Sequence, residues 1–347
     1  MDRVLRVVVI DDSAYVRKVV REILSRSPFI EVVGTARDGR EALDLVERLD
    51  PDVVTCDLIM PELDGVGFVR EQMQRRPVPI IIMSVAKETA EAALTALDAG
   101  AIDFVQKPTA LATEKIFEVS TELIDKVKAA GHIALNRIPT PRQPVVRSEP
   151  GTKVHGSHSV DMVVLGISTG GPQALKRLIP QLPSDFPVPL LIVMHMPVGY
   201  TEMYAAKLNE LSQVEVREAK EGDEIKPGRV FLAQAGRHLF LKQDANGKIV
   251  THLDAKPFST LHRPAVDVLF QSAAEVYGNR VLGVVMTGMG SDGKQGAAWI
   301  KAQGGLIFTE AESSCVVYGM PAAVVEAGLS DKSVALEDMA HAIREVV

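Results

Sequence analysis

Short apolar runs alternate with segments of helical periodicity over the first part of the chain. Each run is too short for a buried helix and ends in polar residues, which is typical of a strand; the predicted strands are 4–10, 30–36, 52–56, 80–83 and 102–105. Strands that alternate with helices pair in parallel, because each helix returns the chain along one face of the sheet. The pattern predicts a five-stranded, parallel, doubly wound α/β domain over residues 1–127.

A second alternation begins near residue 160. Its predicted strands are 162–165, 188–194, 214–218, 229–233, 239–242 and 281–286, and its predicted helices are 172–182, 201–211 and 266–277. The pair Asn246-Gly247 predicts a hairpin turn, since both residues tolerate a left-handed backbone. Residues 160–347 are therefore predicted to form a larger doubly wound α/β domain with a mostly parallel sheet.

Residues 128–159 show neither the apolar runs of a strand nor the spacing of a helix. The stretch is interrupted by four prolines, Pro139, Pro141, Pro144 and Pro150, and its charges are mostly positive. Proline opposes helix and central strand alike, because it lacks a backbone donor and its ring fixes φ. We predict an exposed interdomain linker. Treated as a flexible coil, its 32 residues (159 − 128 + 1) would span on the order of 30 Å.

Composition and charge narrow the possible partners. The chain has 347 residues, of which 46% are hydrophobic, enough to bury two cores of ordinary size. Its formal net charge of −7 gives no general attraction to nucleic acid or to an anionic membrane. No apolar stretch approaches the roughly 18 residues of a membrane span, and no signal segment precedes the first strand. Two cysteines exclude a disulfide framework, so we expect a cytoplasmic protein with no nucleic-acid partner and no membrane insertion.

Five polar residues follow the carboxyl ends of predicted strands in the first domain. They are Asp11, Asp12, Asp57, Ser84 and Lys107. Ligands of open parallel sheets bind outside this edge, so the five side chains are expected to converge. A turn or a helix cap would explain any one of the carboxylates, but not the whole set. Three neighbouring carboxylates repel one another unless a hard cation lies between them, which favours Mg²⁺, and the lysine and hydroxyl can bind phosphoryl oxygens.

These residues and their neighbours resemble a two-component receiver domain over about residues 4–127. The resemblance rests on the segments DDS at 11–13, DLIMP at 57–61, Ser84 and AIDFVQKP at 101–108. It implies a flavodoxin-like fold in which Asp57 accepts a phosphoryl group from a histidine kinase. It also implies that Asp11, Asp12, Asp57 and the carbonyl of Ile59 hold Mg²⁺.

The same resemblance implies roles for three further side chains. Lys107 would contact the phosphoryl oxygens, and Ser84 and Phe104 would be the hydroxyl and the aromatic ring that move on phosphorylation. Val85 departs from the pattern, because a smaller residue is common beside that hydroxyl. The rate of phosphoryl transfer is therefore not implied by the resemblance.

Three polar residues follow apolar strands in the second domain: Ser168, His195 and Asp292. Ser168 lies in a glycine-rich turn before a helix that begins at Pro172, which suits an acyl-transfer nucleophile. Together the three would supply a nucleophile, a base and a carboxylate that orients the base. Simpler explanations exist for each: a helix cap or phosphate cradle at 168, a core histidine at 195, and a helix cap at 292. The residues alone leave these alternatives open.

The second domain also resembles the chemotaxis protein-glutamate methylesterase (CheB) family over about residues 160–347. The segments concerned are GISTGG at 166–171, HMP at 195–197, RPAVD at 263–267, TGMGSDG at 287–293 and VYGMP at 317–321. The resemblance implies a catalytic triad of Ser168, His195 and Asp292. It assigns the oxyanion hole to backbone N–H groups of Thr169 and Met289. Two positions depart from the family pattern without removing a chemical group: Ile167 replaces a usual alanine, and Gln234 a frequent proline.

The resemblance implies a phosphorylation-gated carboxylic-ester hydrolase. Its substrate would be a γ-methyl glutamate on the cytoplasmic helices of a methyl-accepting chemoreceptor, with methanol released; attack on glutamine would release ammonia. The ester reaction would need no cofactor. We hypothesise that the unphosphorylated receiver covers the Ser168 pocket and that phosphorylation of Asp57 weakens this packing. Two alternative outputs remain: a dinucleotide-binding domain around 166–171, and a DNA-binding domain, which the acidic balance disfavours.

Overall fold

The computed structural model describes residues 3–85, 90–107, 113–133, 160–257 and 259–347, without the side chains of 113–118. The chain divides into two compact units, Met1–Arg142 and Gln143–Val347. Of the linker predicted at 128–159, only 128–133 is described, and there the last helix of the first unit continues to Gly131. Pro108 also lies outside the described residues. Within the described parts of the chain, no helix is both long and apolar enough to cross a bilayer.

The first unit contains a five-stranded parallel sheet with strand order β2-β1-β3-β4-β5, which confirms the predicted doubly wound fold. The strands are β1 (Leu5–Ile10), β2 (Ile30–Ala36), β3 (Val53–Asp57), β4 (Ile80–Ser84) and β5 (Asp103–Gln106). The helices are α1 (Ala14–Leu24), α2 (Gly39–Leu49), α3 (Gly65–Arg75), α4 (Ala90–Asp98) and α5 (Thr113–Gly131). Every position of β3 and β4 is buried, as expected for strands covered on both faces.

Two helices of this unit are capped by residues other than the candidate site carboxylates. Ser13 caps α1 by accepting a hydrogen bond from a backbone N–H of the first turn (3.4 Å), and Asp64 caps α3 in the same way (2.7 Å). Asp12 and Asp57 are therefore not used as helix caps. This removes a helix cap as the explanation for these two carboxylates.

The second unit contains a seven-stranded parallel sheet with strand order β14-β13-β12-β6-β7-β9-β8, and β10 and β11 form a separate antiparallel hairpin. The strands are β6 (Met162–Ile167), β7 (Leu190–Met194), β8 (Glu215–Glu218), β9 (Arg229–Leu232), β10 (His238–Gln243), β11 (Ile249–Asp254), β12 (Val281–Val285), β13 (Leu306–Glu310) and β14 (Lys332–Val334). The larger α/β domain with a mostly parallel sheet, predicted from the sequence, is confirmed.

Helices cover both faces of the seven-stranded sheet. They are α6 (Gly171–Leu178), α7 (Thr201–Leu211), α8 (Val266–Tyr277), α9 (Lys294–Ala302), α10 (Met320–Glu326) and α11 (Leu336–Arg344). The apolar stripe of α8 is buried in the main core, with Leu269, Phe270 and Ala273 fully inaccessible. β6 lies at the centre of the sheet between β7 and β12, so the residues just after these three strands share one edge.

Candidate functional site

Ser168 lies in a tight turn between β6 and α6. The Gly171 N–H donates to the Ser168 carbonyl (2.7 Å), and Gly170 has φ +81°, a left-handed conformation that favours glycine. Pro172 lies in the first turn of α6, where a missing N–H leaves no bond unmade. The turn ends a buried strand abruptly, so Ser168 stands at the carboxyl edge of the sheet with 9% of its surface exposed.

Strand register brings three chain segments together at this edge. Ile167, the last residue of β6, lies opposite Met194, the last residue of β7. The next residues along the two strands are Ser168 and His195, and the His195 N–H continues the pairing to the Ile167 carbonyl (3.2 Å). On the other side, the Ser168 N–H donates to the carbonyl of Thr287, just past β12 (2.9 Å). Parallel pairing thus makes neighbours of segments that are far apart in sequence.

The imidazole of His195 is fixed by Asp292. Its Nε2 lies 2.8 Å from Asp292 Oδ2, and only 8% of the histidine side chain is exposed. Because a carboxylate only accepts, Nε2 carries the proton of this bond when the ring is neutral, and Nδ1 keeps a lone pair. Nδ1 is buried and has no hydrogen-bond partner among the described residues, the Ser168 hydroxyl included. The ring therefore presents an unoccupied proton acceptor beside the nucleophile turn.

Asp292 is stabilised as an anion by four donors. Its Oδ2 accepts the Val266 N–H (2.8 Å) besides the His195 bond, and its Oδ1 accepts the N–H groups of Asp267 (2.9 Å) and Gly293 (3.0 Å). Burial raises the pKa of Asp292, but the bonds from His195 and from the backbone outweigh burial and hold that pKa below its ordinary value. Asp292 is therefore an ionised partner for an imidazolium. The alternative of a simple helix cap does not account for all of these bonds: the carboxylate accepts one N–H before α9, the helix that follows it, but also two at the start of α8 and the bond from His195.

The two predicted oxyanion-hole residues flank Ser168. Gly288 packs so closely that a Cβ at this position would lie 2.8 Å from the Ser168 Cβ, so the 287–293 turn approaches the nucleophile only because residue 288 is glycine. The N–H of the next residue, Met289, donates no hydrogen bond within the described parts of the chain. Thr169 is held to the same turn, since the Thr287 hydroxyl donates to the Thr169 carbonyl (3.0 Å).

A buried glutamate, Glu310, accepts a hydrogen bond from the start of the 287–293 turn. Glu310, the last residue of β13, accepts the Thr287 N–H (2.9 Å) and the Ser314 hydroxyl (3.0 Å). It is fully inaccessible, and burial raises its pKa. Sequence reasoning missed Glu310, because a glutamate at a strand end has no pattern that distinguishes it from a surface carboxylate.

Two histidines that the sequence did not single out complete the surroundings. The His262 ring stacks on the His195 ring, with centroids 4.0 Å apart and an interplanar angle of 24°. The loop that carries His262 is anchored by the buried His238, whose Nδ1 accepts the Ala265 N–H (3.2 Å) and whose Nε2 lies 3.1 Å from the Pro257 carbonyl. Because Nδ1 accepts an N–H, it carries no proton, and burial lowers the pKa of His238 in agreement with this. The ring bridges the two ends of the loop.

The two departures from the family pattern lie near this edge. Ile167 is fully buried beneath the nucleophile turn, 3.1 Å from the position that a Cβ at Gly171 would take. Gln234 donates through its amide to Glu218 (3.3 Å), and Glu218 also accepts the Thr201 hydroxyl. Both residues pack or bind within the scaffold, and neither contributes a group to the Ser168, His195 and Asp292 set.

The first unit carries an acidic cluster at the equivalent edge of its own sheet. One carboxylate oxygen from each of Asp11, Asp12 and Asp57 lies within 4.8 Å of the others, an arrangement that suits a metal ion. Lys107 Nζ lies 2.8 Å from Asp11 Oδ2 and 2.7 Å from Asp57 Oδ2. One lysine thus pairs with two of the three carboxylates, and the cluster keeps an excess of negative charge for a cation.

Burial and crowding affect the acidity of Asp57. Burial raises its pKa, and the charge of Asp11 raises it further, whereas Lys107 and the Leu58 N–H lower it without cancelling the rise. A cation would relieve this repulsion and favour the ionised carboxylate. The oxygen-only donor set therefore fits the divalent metal expected from the sequence.

The remaining receiver residues lie around this cluster. Ser84 is the last residue of β4 and Phe104 lies within β5, and both are buried. The Lys107 N–H donates to the Ser84 carbonyl (2.8 Å). Ile59 follows β3 with 65% of its surface exposed, and Val85 is 42% exposed beside Ser84. The structure thus brings Ser84, Lys107 and the three carboxylates to one sheet edge.

Comparison with protein families assigns each unit separately. Residues 163–343 match the family described as CheB methylesterase, and residues 7–118 match the response regulator receiver domain. The first match spans more than half of the chain and includes the segments that contain Ser168, His195 and Asp292. It favours the esterase interpretation over the dinucleotide-binding and DNA-binding alternatives.

Individual relatives agree with the family matches. The chain is 49% identical to protein-glutamate methylesterase/protein-glutamine glutaminase 5 of Myxococcus xanthus, over 99% of this chain and 98% of that protein. It is 43% identical to a protein of Symbiobacterium thermophilum named protein-glutamate methylesterase/protein-glutamine glutaminase, over 100% of this chain and 98% of that protein. The crystal structure of the CheB methylesterase catalytic domain of Thermotoga maritima is 42% identical, with a TM-score of 0.53, and covers 55% of this chain and 100% of that domain. The chain belongs to the CheB methylesterase family and carries a response regulator receiver domain ahead of its catalytic domain.

Proposed function

We propose that the protein is a phosphorylation-activated protein-glutamate methylesterase that also deamidates glutamine. The observation that carries the proposal is the His195 imidazole. It bonds to an ionised Asp292 through Nε2 and keeps Nδ1 without a hydrogen-bond partner among the described residues, and the His195 backbone pairs with Ile167, the residue before Ser168. The substrate is a γ-methyl glutamate on the cytoplasmic helices of a methyl-accepting chemoreceptor, and the protein acts in the cytoplasm. Family membership and the names of the full-length relatives support this assignment.

The proposed reaction begins with attack by the Ser168 Oγ on the ester carbonyl carbon. The hydroxyl proton passes to His195 Nδ1, and Asp292 stabilises the resulting imidazolium. The N–H groups of Met289 and Thr169 donate to the carbonyl oxygen as it becomes negative. The bond to the methoxy oxygen then breaks, and His195 returns the proton so that methanol leaves.

Water completes the cycle. His195 takes a proton from water as the hydroxide adds to the acyl carbon. The bond to Ser168 Oγ then breaks, His195 returns the proton to Oγ, and glutamate is released with the free enzyme restored. On glutamine the same attack expels ammonia, because the leaving group is then an amine that also receives its proton from His195. One site therefore serves both reactions, in agreement with the double name of the relatives.

Control is assigned to the first unit. We assign residues 1–127 to the receiver domain, 128–159 to the linker, whose first residues extend α5 to Gly131, and 160–347 to the methylesterase domain. Asp57 accepts a phosphoryl group from a histidine kinase of the chemotaxis type. When bound, Mg²⁺ neutralises charge on the transferring phosphoryl oxygens; its proposed ligands are Asp11, Asp12, Asp57 and the carbonyl of Ile59.

Three side chains are proposed to sense the modification. Lys107, already within 2.7 Å of Asp57, pairs with the phosphoryl oxygens. The Ser84 hydroxyl donates to a phosphoryl oxygen, and Phe104 moves with it. Phosphorylation then raises the esterase rate. A tenfold rise needs about 1.4 kcal/mol of preference between two states of the protein, which new charge-assisted bonds can supply.

Substitution of the nucleophile tests the proposal. We expect Ser168→Ala to lower the rate of methanol release from a methyl-esterified chemoreceptor fragment by about four orders of magnitude, the usual effect of losing a triad member. Ser212→Ala is the matched control, because the Ser212 hydroxyl only donates to a carbonyl at the end of α7 (2.7 Å). Equal rates for Ser168→Ala and Ser212→Ala would refute the esterase assignment.

A further inference from the structure

Asp292 accepts hydrogen bonds from the start of α8, the helix that contains Asp267, and Asp267 accepts hydrogen bonds from the start of α9, the helix that follows Asp292. Asp292 precedes α9, and its carboxylate accepts the N–H groups of the first two residues of α8, Val266 and Asp267. Asp267 belongs to α8, and its Oδ1 accepts the N–H groups of Gly293 (2.9 Å) and Gly296 (2.7 Å) at the start of α9. Each of the two helix N-termini thus donates hydrogen bonds to a carboxylate from the other segment.

The bond to Gly293 acts directly on the triad. Gly293 supplies the peptide N–H that follows the Asp292 carbonyl, so a partner on this N–H restricts the backbone that carries the Asp292 side chain. In turn, Asp292 Oδ2 is the atom that holds His195 Nε2 at 2.8 Å. A continuous series of bonds therefore runs from the Asp267 carboxylate through the Asp292 turn to the His195 ring.

Close helix packing makes the arrangement stiff. A Cβ at Gly296 would lie 2.5 Å from the Cβ of Phe270 and 3.0 Å from the Cα of Asp267, so α9 approaches α8 as closely as a glycine allows. At Gly293, φ is +94° and a Cβ would lie 3.0 Å from Val266. The Asp267 carboxylate occupies this narrow junction, where few other side chains could reach both N–H groups.

We infer that Asp267 is a positioning residue for the proposed ester hydrolysis, and that it acts by holding Asp292 in the orientation that His195 needs. The inference rests on the proposed function. It assigns a role to the RPAVD segment at 263–267, which contributes no group to the triad itself. Asp267 does not touch the reacting atoms, so it acts only through Asp292 and His195.

The electrostatic surroundings agree with this role. Burial, followed by the charge of Asp292, raises the pKa of Asp267 to about 6, while the bonds from Gly296, Gly293 and Gln295 lower it. The carboxylate is consequently ionised at neutral pH, as the two charge-assisted bonds to α9 require. A second negative charge also lies behind Asp292, which favours the imidazolium that forms during catalysis.

Two substitutions at position 267 separate geometry from charge, and a third gives the control. Asp267→Ala removes both the acceptor and the charge, whereas Asp267→Asn keeps an oxygen for Gly293 and Gly296. Asp244→Ala is the matched control, because Asp244 Oδ1 also accepts two backbone N–H groups (2.8 Å each) but lies in the β10–β11 hairpin. Each full-length protein is assayed with a methyl-esterified receptor fragment and with a fluorophosphonate that labels Ser168. The proton between His195 and Asp292 is observed by NMR.

We expect Asp267→Ala to lower kcat about 100-fold with KM nearly unchanged, the scale of a misplacement of about 1 Å at a reacting group. Labelling of Ser168 should slow in parallel, and the downfield His195 proton should weaken. Asp267→Asn should restore most of the rate, whereas Asp244→Ala should resemble the unsubstituted protein in all three measurements.

Other results would overturn the inference. It is wrong if Asp267→Ala keeps the kcat, labelling rate and His195 proton of Asp244→Ala. Where the alanine variant does not fold, Asp267→Leu, which has about the shape of Asp267→Asn but no acceptor, takes its place in this comparison. The NMR measurement does not depend on the substrate. If the unsubstituted protein failed to hydrolyse the ester, the proposed function would fall, while the effect of Asp267 on the His195 proton would still be decided.

Discussion

Asp57 and Asp292 lie at equivalent edges of two different sheets, yet their pKa values are shifted in opposite directions. Both lie beyond parallel strands in doubly wound domains, and both are nearly inaccessible, with side-chain exposures of 6% and 12%. The pKa of Asp57 is raised by burial and by the charge of Asp11. The pKa of Asp292 is lowered, because its bonds to His195 and to backbone N–H groups outweigh burial.

The difference between the two pKa shifts results from the number of hydrogen-bond donors around each carboxylate rather than from how deeply each is buried. Asp292 lies where the start of α8 supplies N–H groups, and a helix start is a ready source of donors for an anion. Within the described parts of the chain, Asp57 has one backbone donor, Leu58, and shares one lysine with Asp11. The protein itself completes the surroundings of Asp292. The Asp57 cluster is left with excess negative charge, which an added cation or phosphoryl chemistry can use.

The largest effect is expected when the charge of Asp292 is removed. Asp292→Asn places an amide where His195 Nε2 needs an acceptor, so the imidazole loses both its orientation and the charge that stabilises its protonated form. We expect kcat for ester hydrolysis to fall by about 10⁴-fold, the scale known for an orienting carboxylate in a triad. The measurement is methanol release under saturating substrate.

The comparison also requires that this change leave the receiver intact. Phosphorylation of Asp57 by a small phosphodonor should proceed at the same rate in Asp292→Asn as in the unsubstituted protein. Asp331→Asn is a control for removing a carboxylate from the same unit, because Asp331 bonds to Lys301 and to the Ile307 N–H, near the amino end of β13. A loss of activity in Asp331→Asn as large as in Asp292→Asn would contradict the special role of Asp292.

Removal of divalent cations should affect the Asp57 cluster alone. We expect a chelator to abolish phosphorylation of Asp57 and with it the activation of the esterase, an effect of about tenfold if the two states differ by about 1.4 kcal/mol. The basal esterase rate should stay unchanged, because Asp292 already has its donors from the protein. Asp57→Asn should behave like the chelated protein. A fall in basal activity on chelation would show that the esterase site also needs a metal.

Much of both sites could be predicted from the sequence, because strand ends are visible in it. Apolar runs that stop at Asp11, Asp57, Ser168 and His195 place these residues at sheet edges, and parallel pairing then makes them neighbours. The register that sets Ile167 opposite Met194 was not visible. It results from tertiary packing of many side chains, although it decides how closely Ser168 and His195 approach.

The sequence could not reveal partners that depend on where helices begin in space. Asp292 precedes α9 in the chain, yet its carboxylate binds the start of α8, a helix that ends 15 residues earlier (292 − 277). His262 has no periodic or motif signal of its own, and it stacks on His195 from a loop that His238 helps to anchor. Local patterns predict elements and their ends, whereas contacts between loops require the folded chain.

The smallest expected effects are on stability, where the comparison predicts opposite signs. A carboxylate whose pKa is raised on folding destabilises the fold once the pH rises through that pKa, so Asp57→Asn should raise the melting temperature of the first unit at pH 7 without divalent cations. A carboxylate whose pKa is lowered stabilises the fold above its unfolded pKa. Asp292→Asn should therefore lower the melting temperature of the second unit.

Calorimetry at two pH values tests these signs. Loss of well-paired acceptors from buried N–H groups costs about 1–3 kcal/mol, and each kcal/mol shifts the melting temperature of a domain of this size by about 2–4 °C. Both differences should shrink as the pH falls toward 3, because the unsubstituted carboxylates then bind protons as well, and Asp292 should do so last. If both substitutions shifted the melting temperatures in the same direction at pH 7, the number of backbone donors would not be what distinguishes the two carboxylates.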